Sequence, residues 1–218
     1  MSVKNLFKEL RDSDDTDINM TDKQISIISA AIEIFAEKGY SATSTSEIAK
    51  KAGVGEGTIF HHYKTKKDLL FAIPKYLSML SFSKAFPNNI SEIFEKPYER
   101  FEDLLRDVIQ NRKKFVTENV ILIKVLFQEF PFHPELRTKI SQSILAPAME
   151  KIIKVIDKYK EKGQIIDIPS NSIANLMFSS TFGYFFTHNI LMIEFKWDGK
   201  DETDYLVQYI MNGIGKSS

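Results

Sequence analysis

Apolar residues recur at helical intervals along most of the chain, and the first strong helical pattern begins near residue 21. Between Ile25 and Phe35 the apolar side chains return every three or four positions, which places them on one helical face. Thr21 and Gln24 have the spacing of a capping box, in which each residue satisfies a free backbone N–H group of the other. Gly39 then ends this helix.

Two more short helices and the start of a fourth follow closely. Ser44 and Glu47 form a second capping-box pattern, and Gly53 ends the helix that this pattern starts. After the glycine-containing turn 53–55, residues 58–63 are predicted to form a brief third helix, and Thr65 begins the next one. The segment thus contains one helix and then two helices joined by a tight turn, all within about forty residues. This arrangement is typical of a helix-turn-helix DNA-binding unit.

The rest of the chain also has helical patterning. Apolar faces recur over residues 101–108 and 136–156, with a kink expected at Pro147. The run Val120–Phe127 (VILIKVLF) is rich in β-branched residues and could pass for a strand, but no hairpin signal flanks it, so we predict a helix. Final helices at about 170–194 and 202–213 complete an all-α fold of about nine helices.

Composition is that of an ordinary soluble globular protein, with 43% hydrophobic and 27% charged residues. The absence of cysteine from the sequence excludes disulfides, thiolate zinc sites, iron–sulfur clusters and a cysteine nucleophile. The sequence also contains no nucleophile elbow, P-loop, dinucleotide-binding glycine motif or H-E-x-x-H helix. We therefore predict that the protein is not an enzyme and needs no cofactor or metal.

Two features bear on localisation. Residues 1–20 lack the apolar core and cleavage site of a secretory signal, and their acidic run 12–17 predicts a flexible lead-in. Ser170–Ile193 carries no Asp, Glu, Lys or Arg, but ten of its 24 residues are Ser, Asn, Thr or His, which are costly in a bilayer. We expect a cytoplasmic protein that does not associate with membranes.

Basic charge is concentrated near the predicted helix-turn-helix. The whole chain is neutral, with 29 basic and 29 acidic residues, whereas residues 41–75 carry six lysines against three acidic residues. Lys64, Lys66 and Lys67 surround the start of the fourth helix, where exposed N–H groups already favour an anion such as a DNA phosphate. The alternative is that these lysines only keep the surface solvated.

The predicted third helix suits contact with DNA. Its start, Gly55 to Thr58, has small side chains apart from Glu56, so the backbone can approach another surface closely. The aromatic and histidine rings of residues 60–63 are too numerous for a purely buried helix, so we expect their tips to face outward. A metal site is disfavoured because adjacent helical residues such as His61 and His62 point in different directions.

The segment Ser41–Leu70 (SATSTSEIAKKAGVGEGTIFHHYKTKKDLL) resembles the N-terminal DNA-binding domain of TetR-family transcriptional regulators. The resemblance extends from about Gln24 and includes Phe35 and the Lys38–Tyr40 ending of the first helix. It implies an all-α homodimer with small helix-turn-helix heads and a larger effector-binding and dimerisation domain. We therefore divide the chain into a lead-in 1–20, a DNA-binding domain 21–67 with its motif at about 44–63, and a C-terminal domain 68–218.

The resemblance implies phosphate or base contacts for a set of residues that match the family motif: Thr43, Thr45, Gly57, Thr58, His61, His62, Lys64 and Lys66. Our full candidate site also includes Ser44, Gly55, Glu56, Phe60 and Lys67. The sequence departs from the family pattern at Gly55, where a capping serine is usual, and at Phe60, where a phosphate-binding tyrosine is usual. Glu56 could accept a hydrogen bond from cytosine N4 or repel phosphate.

The C-terminal part carries apolar helices that need to be covered on more than one side. In the family the last two helices pair across a two-fold axis, so we predict a dimer interface that includes Phe185, Phe186, Ile190, Tyr205, Tyr209 and Ile210. The alternative is a wholly internal core. An effector cavity is predicted to be lined by Phe115, Leu122, Phe127, Met149, Met177, Phe178 and Phe182, although such stripes more often only fill a core.

The sequence thus predicts a homodimeric repressor that binds a double-stranded DNA operator and is released by a small apolar effector. One alternative is a non-specific or architectural DNA-binding protein with the same head. The other is a helical ligand-binding or scaffold protein that no longer binds DNA. The departures at Gly55, Glu56 and Phe60 keep this last alternative open.

Overall fold

The computed structural model describes residues 2–12, 20–82, 89–191 and 202–215, and within these ranges the regular structure is helical, as predicted. Its α-helices are α1 Val3–Asp12, α2 Asp22–Lys38, α3 Thr45–Ala52, α4 Glu56–His62, α5 Lys66–Phe82, α6 Ser91–Glu95, α7 Phe101–Glu118, α8 Val120–Glu129, α9 Pro134–Ile140, α10 Ala146–Glu161, α11 Ser170–Phe186 and α12 Thr203–Ile214. Two π-helical turns, Ser141–Leu145 and Thr187–Leu191, adjoin α10 and α11.

The chain folds as two compact units. The first, here called the head unit, consists of Met1–Pro87 and Glu118–Ile144, and the second, the body unit, consists of Asn88–Thr117 and Leu145–Ser218. The boundary predicted between residues 67 and 68 therefore lies inside the head unit. The reason is that α5 packs against α2, α8 and α9 instead of belonging to the following domain.

Helix α2 forms the centre of the head unit. Ile25, Ile28 and Ile32 are fully buried, and α1, α3, α5 and α8 all pack against this helix. Both predicted capping boxes are present at α2 and α3, and a reciprocal pair of bonds between Thr65 and Asp68 starts α5. The capping patterns in the sequence therefore predicted the starts of α2, α3 and α5 correctly.

The structure corrects the predicted lead-in. Residues 3–12 form α1, whose Leu6, Phe7 and Leu10 are buried, and Arg11 pairs with Asp22 across 2.6 Å. The rings of Phe7 and of Tyr76 on α5 meet edge to face at a centroid distance of 4.7 Å. The expectation of a flexible lead-in is wrong for residues 3–12, because α1 buries enough apolar surface to be held in place. Residues 13–19, which hold most of the acidic run, lie outside the described residues.

The body unit has its own core, to which α7, α10, α11 and α12 contribute buried side chains. Helix α11 packs against both α10 and α12. The loop before α11 is tied to the end of α12 by an antiparallel bridge between Ile165 and Gly215, with the Ile166 N–H donating to the Ile214 carbonyl at 2.9 Å.

Two uncertain parts of the sequence are resolved by the structure. Residues 120–129 form α8, as predicted, and not a strand. The irregularity expected at Pro147 is the π-helical turn Ser141–Leu145, just before α10. Pro147 has no N–H group, so it cannot donate the usual helical hydrogen bond to the Ser143 carbonyl four residues earlier. This carbonyl accepts a hydrogen bond from the Ser78 hydroxyl at 2.7 Å instead. Among the described residues, no helix combines the length and apolarity needed to cross a bilayer.

Candidate DNA-binding site

Helices α3 and α4 form the predicted helix-turn-helix. Gly53 ends α3 in the left-handed conformation, with φ of 71°, and its N–H approaches the carbonyls of Ala49 and Lys50. Glycine suits this position because a side chain would be strained there. The chain then turns within residues 53–55, and the fully buried Ile59 anchors α4 against the rest of the head unit.

The start of α4 is open on its outer side. Gly55 occupies the N-cap position, where no described side chain caps the helix, as expected from its difference from the family pattern. Apart from Gly57 itself, its two chain neighbours and the adjacent α4 backbone, no heavy atom of the described residues lies within 4 Å of the place where a Cβ of residue 57 would stand. The α4 backbone can therefore approach another surface closely at this point.

The outer face of α4 and its flanks bring most of the candidate contacts together on the surface. The exposed residues of this set are Gly55, Glu56, Gly57, Phe60, His61 and Lys64, whereas Thr58 and His62 are half-buried. The Phe60 ring is 48% exposed, which is unusual for such a large apolar side chain. We define these eight residues as the α4 face.

A carboxylate links the first turns of the two helices. The Thr45 hydroxyl donates to Glu56 Oε1 at 2.5 Å, so Glu56 is held beside the start of α3. Ser44 is occupied by the α3 capping box, where its hydroxyl donates to Glu47 Oε2 at 2.9 Å. A hydrogen bond from Lys38 and further ones from Ser44 lower the pKa of Glu47 to about 2.

Tyr63 does not follow the prediction that the ring tips face outward. It is hydrogen-bonded to Tyr76 on α5, and burial, followed by the influence of Tyr76, raises its pKa. The prediction was wrong at this position because Tyr63 follows the last residue of α4 and turns towards α5.

Thr43 and Lys66 are also placed differently from the candidate contacts on the α4 face. Thr43 is only 3% exposed, and its hydroxyl donates to the Gly39 carbonyl at 2.7 Å. Lys66 Nζ donates to the carbonyls of Tyr40 and Thr43 at 2.7 and 2.6 Å. The expected direct DNA contact of Thr43 is therefore corrected, because its hydroxyl is buried and bonded within the protein. A DNA contact by Lys66 stays a prediction.

Lys67 lies nearer the surface and has an acidic partner. Its Nζ is 2.8 Å from a carboxylate oxygen of Glu135 at the start of α9, and both side chains are substantially exposed. An exposed pair of this kind contributes little to stability and can exchange partners. A DNA contact by Lys67 thus stays a prediction, as it does for Lys64.

Sequence reasoning missed Glu129, which is buried in α8. Its carboxylate accepts a hydrogen bond from the Tyr40 N–H at 3.1 Å, and His133 Nε2 lies 3.5 Å away. The signal was present in the helical pattern, because Glu129 falls on the same face as the buried Leu122, Val125 and Leu126.

The predicted effector-cavity residues divide between the two units. Leu122 and Phe127 belong to the head unit, whereas Phe115, Met149, Met177, Phe178 and Phe182 belong to the body unit. The Phe178 and Phe182 rings stack at 5.4 Å, and Phe178 is exposed. A cavity lined by this set stays a prediction.

The predicted interface residues also differ in burial. Tyr205 and Tyr209 are 59% and 70% exposed on α12, and Phe186 and Ile190 are half-buried. Phe185 and Ile210 are buried in the core of the body unit, which corrects their expected place on an exposed interface. On α12, Ile210 lies on the buried face together with Leu206, Val207 and Ile214.

Comparison with known proteins supports this site. The family model for bacterial regulatory proteins of the TetR family matches residues 27–73. A fatty acid metabolism regulator protein of Bacillus subtilis is 47% identical over 53 residues, which are 24% of this chain and 27% of that protein. The uncharacterised HTH-type regulator YvkB of the same organism is 29% identical over 168 residues, or 73% of this chain and 79% of that protein.

Solved structures show the same fold over most of the chain. FadR of B. subtilis in complex with stearoyl-CoA has a TM-score of 0.71 at 23% identity and covers 87% of this chain and 98% of that one. FadR of Bacillus halodurans has a TM-score of 0.72 at 22% identity, with coverages of 90% and 98%. Together with the helix-turn-helix described above, these matches show that residues 27–73 form a DNA-binding domain of the type found in bacterial regulatory proteins of the TetR family, and that most of the chain has the fold of the two FadR structures.

Proposed function

We propose that the protein is a homodimeric repressor that reads a palindromic operator with α4 and releases it when a long-chain apolar effector binds the body unit. The observation that carries this proposal is the α4 face, which presents open backbone and exposed polar and aromatic groups beside the start of α3. These features match what a recognition helix needs in a major groove.

Each residue of the α4 face has a physical role in this proposal. The open space at Gly57 lets the backbone approach the DNA, and His61 can donate to or accept from base edges or phosphates. Lys64 supplies an exposed positive charge for a phosphate. Glu56 can accept from cytosine N4, and the bond from Thr45 orients its carboxylate.

Dimerisation is supported by apolar side chains that the body unit leaves exposed. Leu176 and Phe178 on α11, and Tyr205 and Tyr209 on α12, present large rings or apolar groups to the surface of this unit. Large apolar patches on a folded protein commonly mark contact sites. We propose that α11 and α12 pair with the same helices of a second copy around a two-fold axis.

The effector class is suggested by the relatives. One matched protein is named a fatty acid metabolism regulator, and one matched structure contains stearoyl-CoA. The body unit also carries adaptable apolar side chains, including Met149, Met177 and the stacked Phe178 and Phe182. We propose an effector with a long acyl chain.

Selection of DNA from a random pool by the purified full-length protein tests the operator part of the proposal. A palindromic motif is expected, with half-sites about 34–36 Å apart along one face of the duplex. A double variant, Phe60→Ala with His61→Ala, alters only exposed positions of α4 and should remain folded without enriching this motif. If the wild type enriches no motif, non-specific DNA binding is favoured. If the double variant enriches the same motif as the wild type, α4 is not the helix that recognises the operator sequence.

A further inference from the structure

The turn between α2 and α3, residues 39–44, is held by side chains that come from distant parts of the head unit. It carries the N-cap of α3 and therefore sets where α3 begins. Within the turn, the Thr43 hydroxyl donates to the Gly39 carbonyl, and the Thr43 N–H donates to the Tyr40 carbonyl at 3.2 Å. Two further residues, Lys66 and Glu129, hold it from outside.

Lys66 reaches this turn from the first residue of α5. Its ammonium group has three N–H donors, and two of them are used by the carbonyls of Tyr40 and Thr43 at 2.7 and 2.6 Å. Nζ also lies 4.3 Å from the centroid of the Tyr40 ring, which is close enough for a cation–π interaction. The ammonium thus binds two backbone oxygens and an aromatic face at once.

The same turn is held from its other side by Glu129. The carboxylate accepts a hydrogen bond from the Tyr40 N–H, and the Tyr40 and His133 rings meet edge to face at a centroid distance of 5.2 Å. Tyr40 is therefore fixed through its amide by an anion and through its carbonyl and ring by a cation. Burial lowers the pKa of Lys66, Glu129 raises it and Lys38 lowers it, which is consistent with a partly desolvated ammonium between these groups.

We propose that Lys66 is a positioning residue for operator binding: it fixes the 39–44 turn, and with it the start of α3, and does not itself neutralise a DNA phosphate. This inference rests on the proposed DNA-binding function. Only one N–H of Lys66 is left for a phosphate, and its ammonium group is already held by two backbone carbonyls and the Tyr40 ring. Lys64, two residues away, is more exposed and is better placed to reach a phosphate.

The two roles predict different dependences on salt. Each lysine that neutralises a phosphate releases a counterion, so its loss reduces the slope of log affinity against log salt by about one unit per subunit. A positioning residue instead changes the fraction of protein in the competent conformation, and the dissociation constant rises in inverse proportion to that fraction. Loss of positioning weakens binding without changing the slope.

The test compares Lys66→Met with Lys64→Met in the full-length protein, on the operator recovered by selection. For Lys66→Met we expect operator binding at least about tenfold weaker, with the wild-type salt slope, because the competent fraction falls. For the matched variant Lys64→Met we expect a smaller slope. Amide hydrogen exchange without DNA should be faster over residues 40–44 in Lys66→Met only, since opening of the turn exposes these groups.

A lower salt slope in Lys66→Met with unchanged exchange over residues 40–44 would overturn the proposal and make Lys66 a phosphate contact. Should Lys66→Met fail to fold, Lys66→Gln replaces it, because glutamine keeps N–H donors without the charge. A positioning role then predicts the wild-type slope for Lys66→Gln, whereas a phosphate role predicts a lower one. If the wild type selects no operator, the proposed function fails, and the exchange measurement still decides whether Lys66 holds the turn.

Discussion

At the scale of single residues, the α4 face contains positions where a small substitution should affect operator affinity and the free energy of unfolding differently. Gly57 is exposed, helical and surrounded by open space. Gly57→Ala should raise the free energy of unfolding by about 0.5–1 kcal/mol, because alanine loses less backbone entropy in a helix. The same methyl group would stand between the α4 backbone and the DNA, so operator affinity should fall.

Urea denaturation and operator titration measure the two effects of Gly57→Ala separately. Asn5→Ala on the exposed face of α1 is the control, because it also improves helix propensity but lies outside the α4 face. Operator affinity that stays at the wild-type value in Gly57→Ala would show that the backbone does not approach DNA closely at this residue.

Phe60 is the second informative position, because the family pattern has a phosphate-binding tyrosine there. Its ring is already exposed, so Phe60→Tyr adds a hydroxyl with little effect on packing. We expect operator binding to be tighter by about 1 kcal/mol per subunit, the usual net contribution of one hydrogen bond. Fluorescence titration with operator DNA would measure it.

Phe132→Tyr is the matched control for Phe60→Tyr, since Phe132 is 76% exposed and lies outside the α4 face. This control should bind the operator like the wild type. Equal affinities for Phe60→Tyr and the wild type would mean that no phosphate lies within reach of position 60.

The sequence predicted which residues α4 exposes better than it predicted which polar groups are bonded within the protein. Residues of α4 could be assigned because small residues and polar rings follow one another in a short helix. Lys66 could not, because its partners, the carbonyls of Tyr40 and Thr43, lie 26 and 23 residues earlier in the chain. A charged residue beside a helix start looks the same in sequence whether it binds a phosphate or a backbone oxygen.

At the scale of helices, the elements with strong local signals were predicted well. Capping boxes and glycines at the helix ends located α2 and α3 almost to the residue. Helix α1 was missed because the acidic run that follows it dominated the interpretation of residues 1–20. Its buried Val3, Leu6, Phe7 and Leu10 nevertheless have helical spacing, so the signal was there.

Docking of α1 can be tested through Phe7, which is fully buried against Tyr76. Phe7→Ala should lower the free energy of unfolding by about 3–5 kcal/mol, because the substitution removes a buried ring and leaves a cavity. The midpoint of chemical denaturation reports this loss. Phe132→Ala serves as the control, because removal of an exposed ring should change the free energy of unfolding by no more than about 0.5 kcal/mol. Similar midpoints for the two variants would contradict the packing of α1 on α5.

At the scale of the whole molecule, the proposed dimer depends on the outer faces of α11 and α12. Tyr209 is 70% exposed within the body unit, so Tyr209→Glu should leave that unit folded. A buried carboxylate without a partner would oppose dimerisation, and we expect a monomer in sedimentation equilibrium. Operator affinity should then fall at least about a hundredfold, because the two half-sites are no longer bound by one linked particle.

Gln128→Glu in α8 is a charge-matched control for Tyr209→Glu, since it adds the same negative charge at an exposed position of the head unit. It should remain dimeric. A dimeric Tyr209→Glu protein would place the interface elsewhere and leave the exposed tyrosines of α12 without this role.

Effector and operator must influence each other equally if the body unit controls the heads. When an effector weakens operator binding by some factor, thermodynamic linkage requires the operator to weaken effector binding by the same factor. Stearoyl-CoA is the first probe, because the matched FadR structure contains it. We expect a factor of about 5 to 150, the usual range of such couplings.

Calorimetric titration of stearoyl-CoA into the free protein and into its operator complex measures this factor directly. Coenzyme A without an acyl chain is the control, and it should bind weakly because the apolar chain supplies most of the buried area. Equal affinities of stearoyl-CoA for the free protein and the complex would disprove release by this ligand even if it binds tightly. Tight binding alone shifts no equilibrium, because only a difference in affinity between the two states can move the heads.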